Sequence, residues 1–370
     1  MPKLRIGNLV AEKPIIQGGM GVGISLSRLA AAVAEQGGIG VISSVGLGLV
    51  KSGFKGGYKK SNQDALRAEI RQAKKMTNGI LGLNIMVAAS DFDEIVEIAL
   101  DEEIDIIFLG AGLPLKLPKK LNINYLKKMK TKVGVIVSSA RATNIIFKIW
   151  DKKFNYLPDV VVIEGPKAGG HLGFKLDQIE NPEFSLENIL PAVRNIVEIY
   201  EMKCNKKIPL IAAGGIYTGA DILKFLHLGA NGIQMGTRFV TTHECDADYE
   251  FKKAYLDCTK KDIGIINSPV GLPGRAIIND FLKDVFAGVK KPYTCPWKCL
   301  KTCDYKNSPY CIALALTNAQ KGILKNGFAF AGANAYLTDK IVSVQELFNS
   351  LKDEFNKAVS EIKVPLPLLA

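Results

Sequence analysis

The stretch DVVVIEGPKAGGHLGF, residues 159–174, carries an apolar run into a glutamate, four glycines and one of the three histidines in the chain. An imidazole has an unperturbed pKa of about 6.5, so near neutrality it can hold, accept or donate a proton. Gly169 and Gly170, just ahead of His171, let backbone approach a bound group closely. His171 therefore reads either as a residue facing a ligand or as an inert surface-loop histidine. His227 lies inside ILKFLHLGA, a helical stretch, and reads as a packing or surface residue; His243, in TTHEC, reads as a loop residue.

A second chemistry is anion binding. AAGGIYTGADI and MGTRF each place glycine directly after an apolar run, and backbone N–H groups at a glycine turn or a helix N-terminus form a ready phosphate site. Gly214, Gly215, Gly236 and Thr237 are the expected phosphate contacts. No G-x-G-x-x-G fingerprint stands between a strand and a helix, so the sequence shows no Rossmann site for NAD(P)H.

The third is thiol chemistry. CPWKCLKTCDYKNSPYC brings Cys295, Cys299, Cys303 and Cys311 together at spacing C-x3-C-x3-C-x7-C. Thiolates ligate iron–sulfur clusters and structural zinc, but positions four apart also form one buried helical face. The spacing leaves open an iron–sulfur cluster, zinc, buried free thiols and a redox disulfide. Cys204, Cys245 and Cys258 show no pattern.

These residues need a frame. Apolar runs of strand length recur at 13–19, 38–44, 80–86, 105–112, 132–139, 159–165, 208–215 and 232–239. Most are continuously apolar, as parallel strands covered on both faces require. Amphipathic stretches such as SRLAAAVAEQG, DFDEIVEIALDEE and GADILKFLHLGA lie between them, with Ser27, Asp91 and Thr218 near their starts as capping residues. Eight strand–helix units predict a (β/α)8 TIM barrel rather than an open doubly wound sheet, and the glycine-rich ends of runs six to eight fall where barrels place their sites. The expected organisation is a barrel over 1–240, a mostly helical lid over 241–326 carrying the cysteines, and a loop and helix over 327–370 packing back on the barrel.

Composition narrows the class. The 370 residues are 48% hydrophobic, enough for a large core, and no apolar run approaches the roughly 20 residues that span a bilayer. With seven cysteines and no leader-like segment after Met1, the chain reads as cytoplasmic with reduced thiols. The net charge of +12 does not signal nucleic acid, because only eight of the 48 basic residues are arginine and the lysines are dispersed. A positive field does favour anionic substrates. An exposed apolar lid would favour a homodimer.

PIIQGGMG, GLNIM, GAGLP, EGPKAGGHLG, IPLIAAGGI and GIQMGTRF, in this order, resemble the nitronate monooxygenase (2-nitropropane dioxygenase) family, related to the flavin-dependent enoyl-ACP reductases. The resemblance implies a noncovalent FMN at the carboxyl end of the barrel. It places Gly18, Gly19 and Met20 along the flavin ring, with Asn84 and Gln17 as polar contacts. Gly169, Gly170, Gly214, Gly215, Gly236 and Thr237 would surround the phosphate and flank the ring. His171 would orient an anionic nitronate or handle its α-proton while oxygen serves as oxidant. Lys167 stands where the family commonly has an acidic residue, which points toward an anionic or acyl-carrier-linked substrate. IFLGAGLP departs from the TTGAG-like strand of the enoyl-ACP reductases. NAD(P)H-dependent reduction of enoyl-ACP or of quinones is the alternative, and a flavin-free phosphate-binding barrel is the alternative of another class.

Overall fold

The computed structural model describes residues 1–52, 57–126, 128–289, 295 and 297–362. Parts of the lysine-bearing stretches 51–60 and 116–132, Pro296 of the cysteine segment and the last eight residues lie outside the described residues. Each of the eight apolar runs contains a parallel strand: β1 Ile15–Gln17, β2 Gly40–Ser43, β3 Leu81–Met86, β4 Ile106–Gly110, β5 Lys132–Val137, β6 Val160–Glu164, β7 Leu210–Ala213 and β8 Gly232–Met235. Neighbours in sequence pair in space, and β8 pairs with β1. The seam between β1 and β2 closes on a parallel bridge from Ile16 to Ile39, giving the (β/α)8 TIM barrel.

Two apolar layers hold it. Ile16, Val41, Ile106, Phe108, Val160, Val162 and Ile211 fill the barrel interior, together with Leu4, Ile6 and Ala11. Those last three come from an N-terminal hairpin, Leu4–Ile6 with Leu9–Ala11. Alternate strand residues such as Leu83, Ile107, Val135, Val161 and Ile233 face the surrounding helices, so both faces of each strand are covered. At roughly 1.5–3 kcal/mol per buried side chain of this size, these layers are the main driving force for closure.

Helix starts follow local chemistry. Thr218 caps Gly219–His227 in a capping box with Asp221. Asp91 precedes Phe92–Asp101 but caps nothing; its carboxylate instead accepts from Asn62 at 2.9 Å. Ser27 is the first residue of its helix rather than the cap, and its amide is satisfied by Glu69 at 2.8 Å.

The region after β8 contains the helices Tyr249–Asp257, Asp280–Phe286 and Ile312–Gln320. It also contains an antiparallel hairpin, Ile263–Asn267 with Pro273–Ile277, which periodicity did not reveal because glycine and proline interrupt its apolar pattern. The C-terminal helix Val344–Glu361 packs on Gly219–His227 so closely that a Cβ at Gly219 would lie 2.3 Å from the Phe355 amide nitrogen. No helix among the described residues is long and apolar enough to cross a membrane.

Candidate active site

A cavity of about 500 Å3 opens at the carboxyl end of the barrel. It is lined by Gly18, Gly19, Met20, Asn84, Gly169, Gly170, His171, Gly214, Gly215, Gly236 and Thr237, which come from the carboxyl ends of five strands. Gln17 does not line it. That side chain is fully buried, and its carboxamide accepts from the Val41 amide at 3.0 Å and donates to the Gly18 carbonyl. Gln17 thereby completes the β1–β2 seam, where the strands are too short to pair along their length.

Close approach explains the glycines. A Cβ at Gly19 would sit 2.3 Å from Asn84 Cβ, and one at Gly169 would sit 2.6 Å from the backbone of Ala331 and Gly332. Gly214 and Gly215 both have positive φ, 95° and 84°, a conformation that disfavours side chains. The expected anion site is only partly available. At the start of helix Gly219–His227, Asp221 accepts from the Tyr217 and Thr218 amides, and Glu354 takes the Gly219 amide at 2.7 Å. The amides of Gly215 and Thr237 have no acceptor among the described residues. Beside that turn the Arg238 guanidinium lies 4.5 Å from the Tyr217 ring centroid, its buried Nε without a hydrogen-bond partner. A phosphate in the cavity would satisfy the two amides, whereas Arg238 is not on the lining.

Asn84, in β3, faces the same cavity, and its side-chain amide has no protein partner among the described residues. Asn84 is half-buried, so its amide stands at the cavity surface, open to a ligand. Gln234 of β8 offers a second lining amide.

The His171 loop is held by the lid hairpin. Gly170 and His171 pair antiparallel with Arg275 and Gly274. Buried Arg275 donates to the Pro166 carbonyl at 2.6 Å, fixing the turn after β6. His171 Nε2 lies 2.7 Å from Ser268 Oγ, and the ring meets Phe330 edge-on at 5.0 Å between centroids. Burial pushes the imidazole pKa down to about 4. The unperturbed value allowed either form near neutrality; in this environment the ring is neutral there, because the lining offers little to solvate an imidazolium.

Several site residues escaped sequence reasoning. Glu164 ends β6 inside the cavity, where burial raises its pKa to about 7 and no described residue pairs with it. Its signal was a lone acid at the carboxyl end of a buried strand. Ser268 and the Phe330–Gly332 wall come from the lid and the returning chain, and no local pattern marks them. The latter segment binds the site loops together: the Ala333 amide donates to the Lys167 carbonyl, and Asn334 donates to the Gly215 carbonyl at 2.7 Å.

The four cysteines lie apart from this cavity. All are free thiols, and they line one small pocket. Burial and the neighbouring thiols push Cys299 up to about 12, the opposite of a reactive thiolate.

The nitronate monooxygenase family model matches residues 4–104 and 88–354. A probable nitronate monooxygenase of Bacillus subtilis (strain 168) is 25% identical over 92% of this chain and 96% of its own. A (3aS,4S,5R,7aS)-5-hydroxy-7a-methyl-1-oxo-octahydro-1H-indene-4-carboxyl-CoA dehydrogenase of Rhodococcus jostii (strain RHA1) is 26% identical over 74% of this chain. The alignment covers 65% of that relative, just under two thirds of its length. Among solved structures, FabK from Thermotoga maritima matches with a TM-score of 0.73 at 26% identity, covering 95% of each chain. The family match runs from the N-terminal hairpin into the C-terminal helix and takes in every loop that builds the cavity, so the chain belongs to the nitronate monooxygenase family.

Proposed function

We propose that the chain is an FMN-dependent oxidoreductase that oxidises an alkyl nitronate with molecular oxygen. The observation that carries this reading is the convergence, in one cavity, of unpaired phosphate-facing amides, an unpaired Asn84 and a neutral His171. Gly215 and Thr237 would hold the phosphate, and Gly18, Gly19 and Met20 would lie along the ring, with Asn84 hydrogen-bonding it. Bound there, the flavin would supply electron transfer between substrate and oxygen, chemistry the protein itself lacks.

The protein's part is position and polarity. Ser268 occupies His171 Nε2, which leaves Nδ1 for the substrate. As a neutral base or hydrogen-bond donor, His171 would orient the nitronate without adding a fixed charge. Lys167, also on the lining, supplies the positive charge that an anion needs. Phe330, Leu272 and Leu316 give the same space apolar walls.

NAD(P)H-dependent reduction is the second reading, favoured by the likeness to FabK and to the Rhodococcus dehydrogenase. Anaerobic mixing of the flavin-loaded protein with a nitronate and, separately, with NADPH decides between them. Rapid bleaching by the nitronate alone supports oxidation. Bleaching by NADPH alone would replace it with the reductase reading.

A further inference from the structure

Cys295, Cys299, Cys303 and Cys311 have no part in the proposed reaction. All four nonetheless line one pocket, together with Tyr305, Tyr310 and Ile312. Four thiols from one short segment facing a common space is the donor set of a thiolate-ligated metal site.

Which metal group suits it follows from how the thiols are arranged. In a tetrahedral zinc site, Zn–S bonds of about 2.3 Å hold the sulfurs about 3.8 Å apart around one point. Among the described residues no three His, Cys, Asp or Glu side chains are grouped to hold a single ion. An iron–sulfur cluster has a different requirement, since each thiolate binds its own iron and the sulfurs surround a polynuclear core.

The surroundings suit the net negative charge of such a group. Lys298 lines the pocket, and its amide donates to Cys295 Sγ at 3.5 Å. Cys311 is the N-cap of the nine-residue helix Ile312–Gln320, yet its side chain caps no amide. The positive end of that helix therefore meets the pocket.

We propose that the four cysteines bind an iron–sulfur cluster. The site stands whether or not the nitronate reading holds. Two stretches of chain connect it to the cavity wall. Leu316, which lines the cavity, follows Cys311 by five residues on the same helix, about 7.5 Å along its axis at about 1.5 Å per residue. Lys301 donates to the Ala88 carbonyl at 2.8 Å, two residues beyond Met86 on the cavity lining. Ligation would tie both walls to the cysteine segment.

The test is iron and acid-labile sulfide analysis of the full chain, purified anaerobically and reconstituted with ferrous iron and sulfide. The expected result is iron and sulfide in equal amounts, about two or about four of each per chain, with a paramagnetic signal after dithionite reduction. Cys299→Ser and Cys303→Ser should each lose most of the iron, whereas Cys204→Ser, at an exposed thiol away from the pocket, keeps it. Absence of iron and sulfide from the reconstituted wild type, or one zinc per chain in their place, overturns the proposal. Full iron content in a Cys299→Ser/Cys303→Ser double variant does so as well. Where a variant fails to fold, the wild-type stoichiometry decides alone.

Discussion

Replacing Glu164 with glutamine should stabilise the flavin-free protein, and by an amount that grows with pH. Burial raises the carboxyl pKa from 4.5 to about 7, so between those values the folded chain holds a proton that the unfolded chain releases. Stability is then fully present below 4.5 and lost as pH rises through 7. With 1.36 kcal/mol per tenfold change, the ionisation penalty is about 0.8 kcal/mol at pH 5 and about 3.3 kcal/mol at pH 8. Glutamine keeps the shape and removes the titration. Urea unfolding of wild type and Glu164→Gln at both pH values should therefore show the variant's advantage widening by about 2.5 kcal/mol. Water reaching the cavity would reduce that figure. An advantage that is the same at pH 5 and pH 8 would refute the reasoning, because it would mean that Glu164 titrates alike in both states.

His171 acts in the opposite direction. Its pKa is lowered to about 4, so its stability is present above 6.5 and lost as pH falls through 4; His171→Gln should flatten the acid limb of the stability profile. The same variant should keep flavin yet lose roughly 10²–10⁴-fold in turnover; unchanged turnover on the true substrate removes the assigned role. Gly214→Asp should abolish flavin retention, since the new side chain meets the Gly165 carbonyl and the Ala168 amide nitrogen at about 3 Å and adds charge against a phosphate. Stoichiometric flavin in a folded Gly214→Asp protein contradicts the phosphate assignment. Gln17→Leu should lower stability by about 1–3 kcal/mol by stranding the Val41 amide, and flavin affinity measured on the folded fraction should stay near wild type. The reverse pattern would make Gln17 a cofactor contact.

The barrel was legible in the sequence because its determinants are local and repeated. A strand covered on both faces must be apolar throughout, so ILGLNIM or DVVVIEG announces its environment whatever lies beside it. Glycine at the carboxyl ends was legible for the same reason: backbone packed against Asn84 at Gly19, or held at positive φ at Gly214, admits no other residue cheaply. Local pattern cannot report partners that arrive from far along the chain. The anion site at helix Gly219–His227 looked available until Glu354, 135 residues later, took its amide. His171 looked able to titrate near neutrality until the lid hairpin and Phe330 removed its solvent. Gln17 had the composition of a ligand contact and became a seam residue because β1 and β2 pair so briefly. Sequence determined which residues reach the mouth of the barrel, since that follows from strand period and turn chemistry. Tertiary structure decided their charge states and which polar groups remain free, since desolvation and hydrogen-bond satisfaction depend on every element that closes over them.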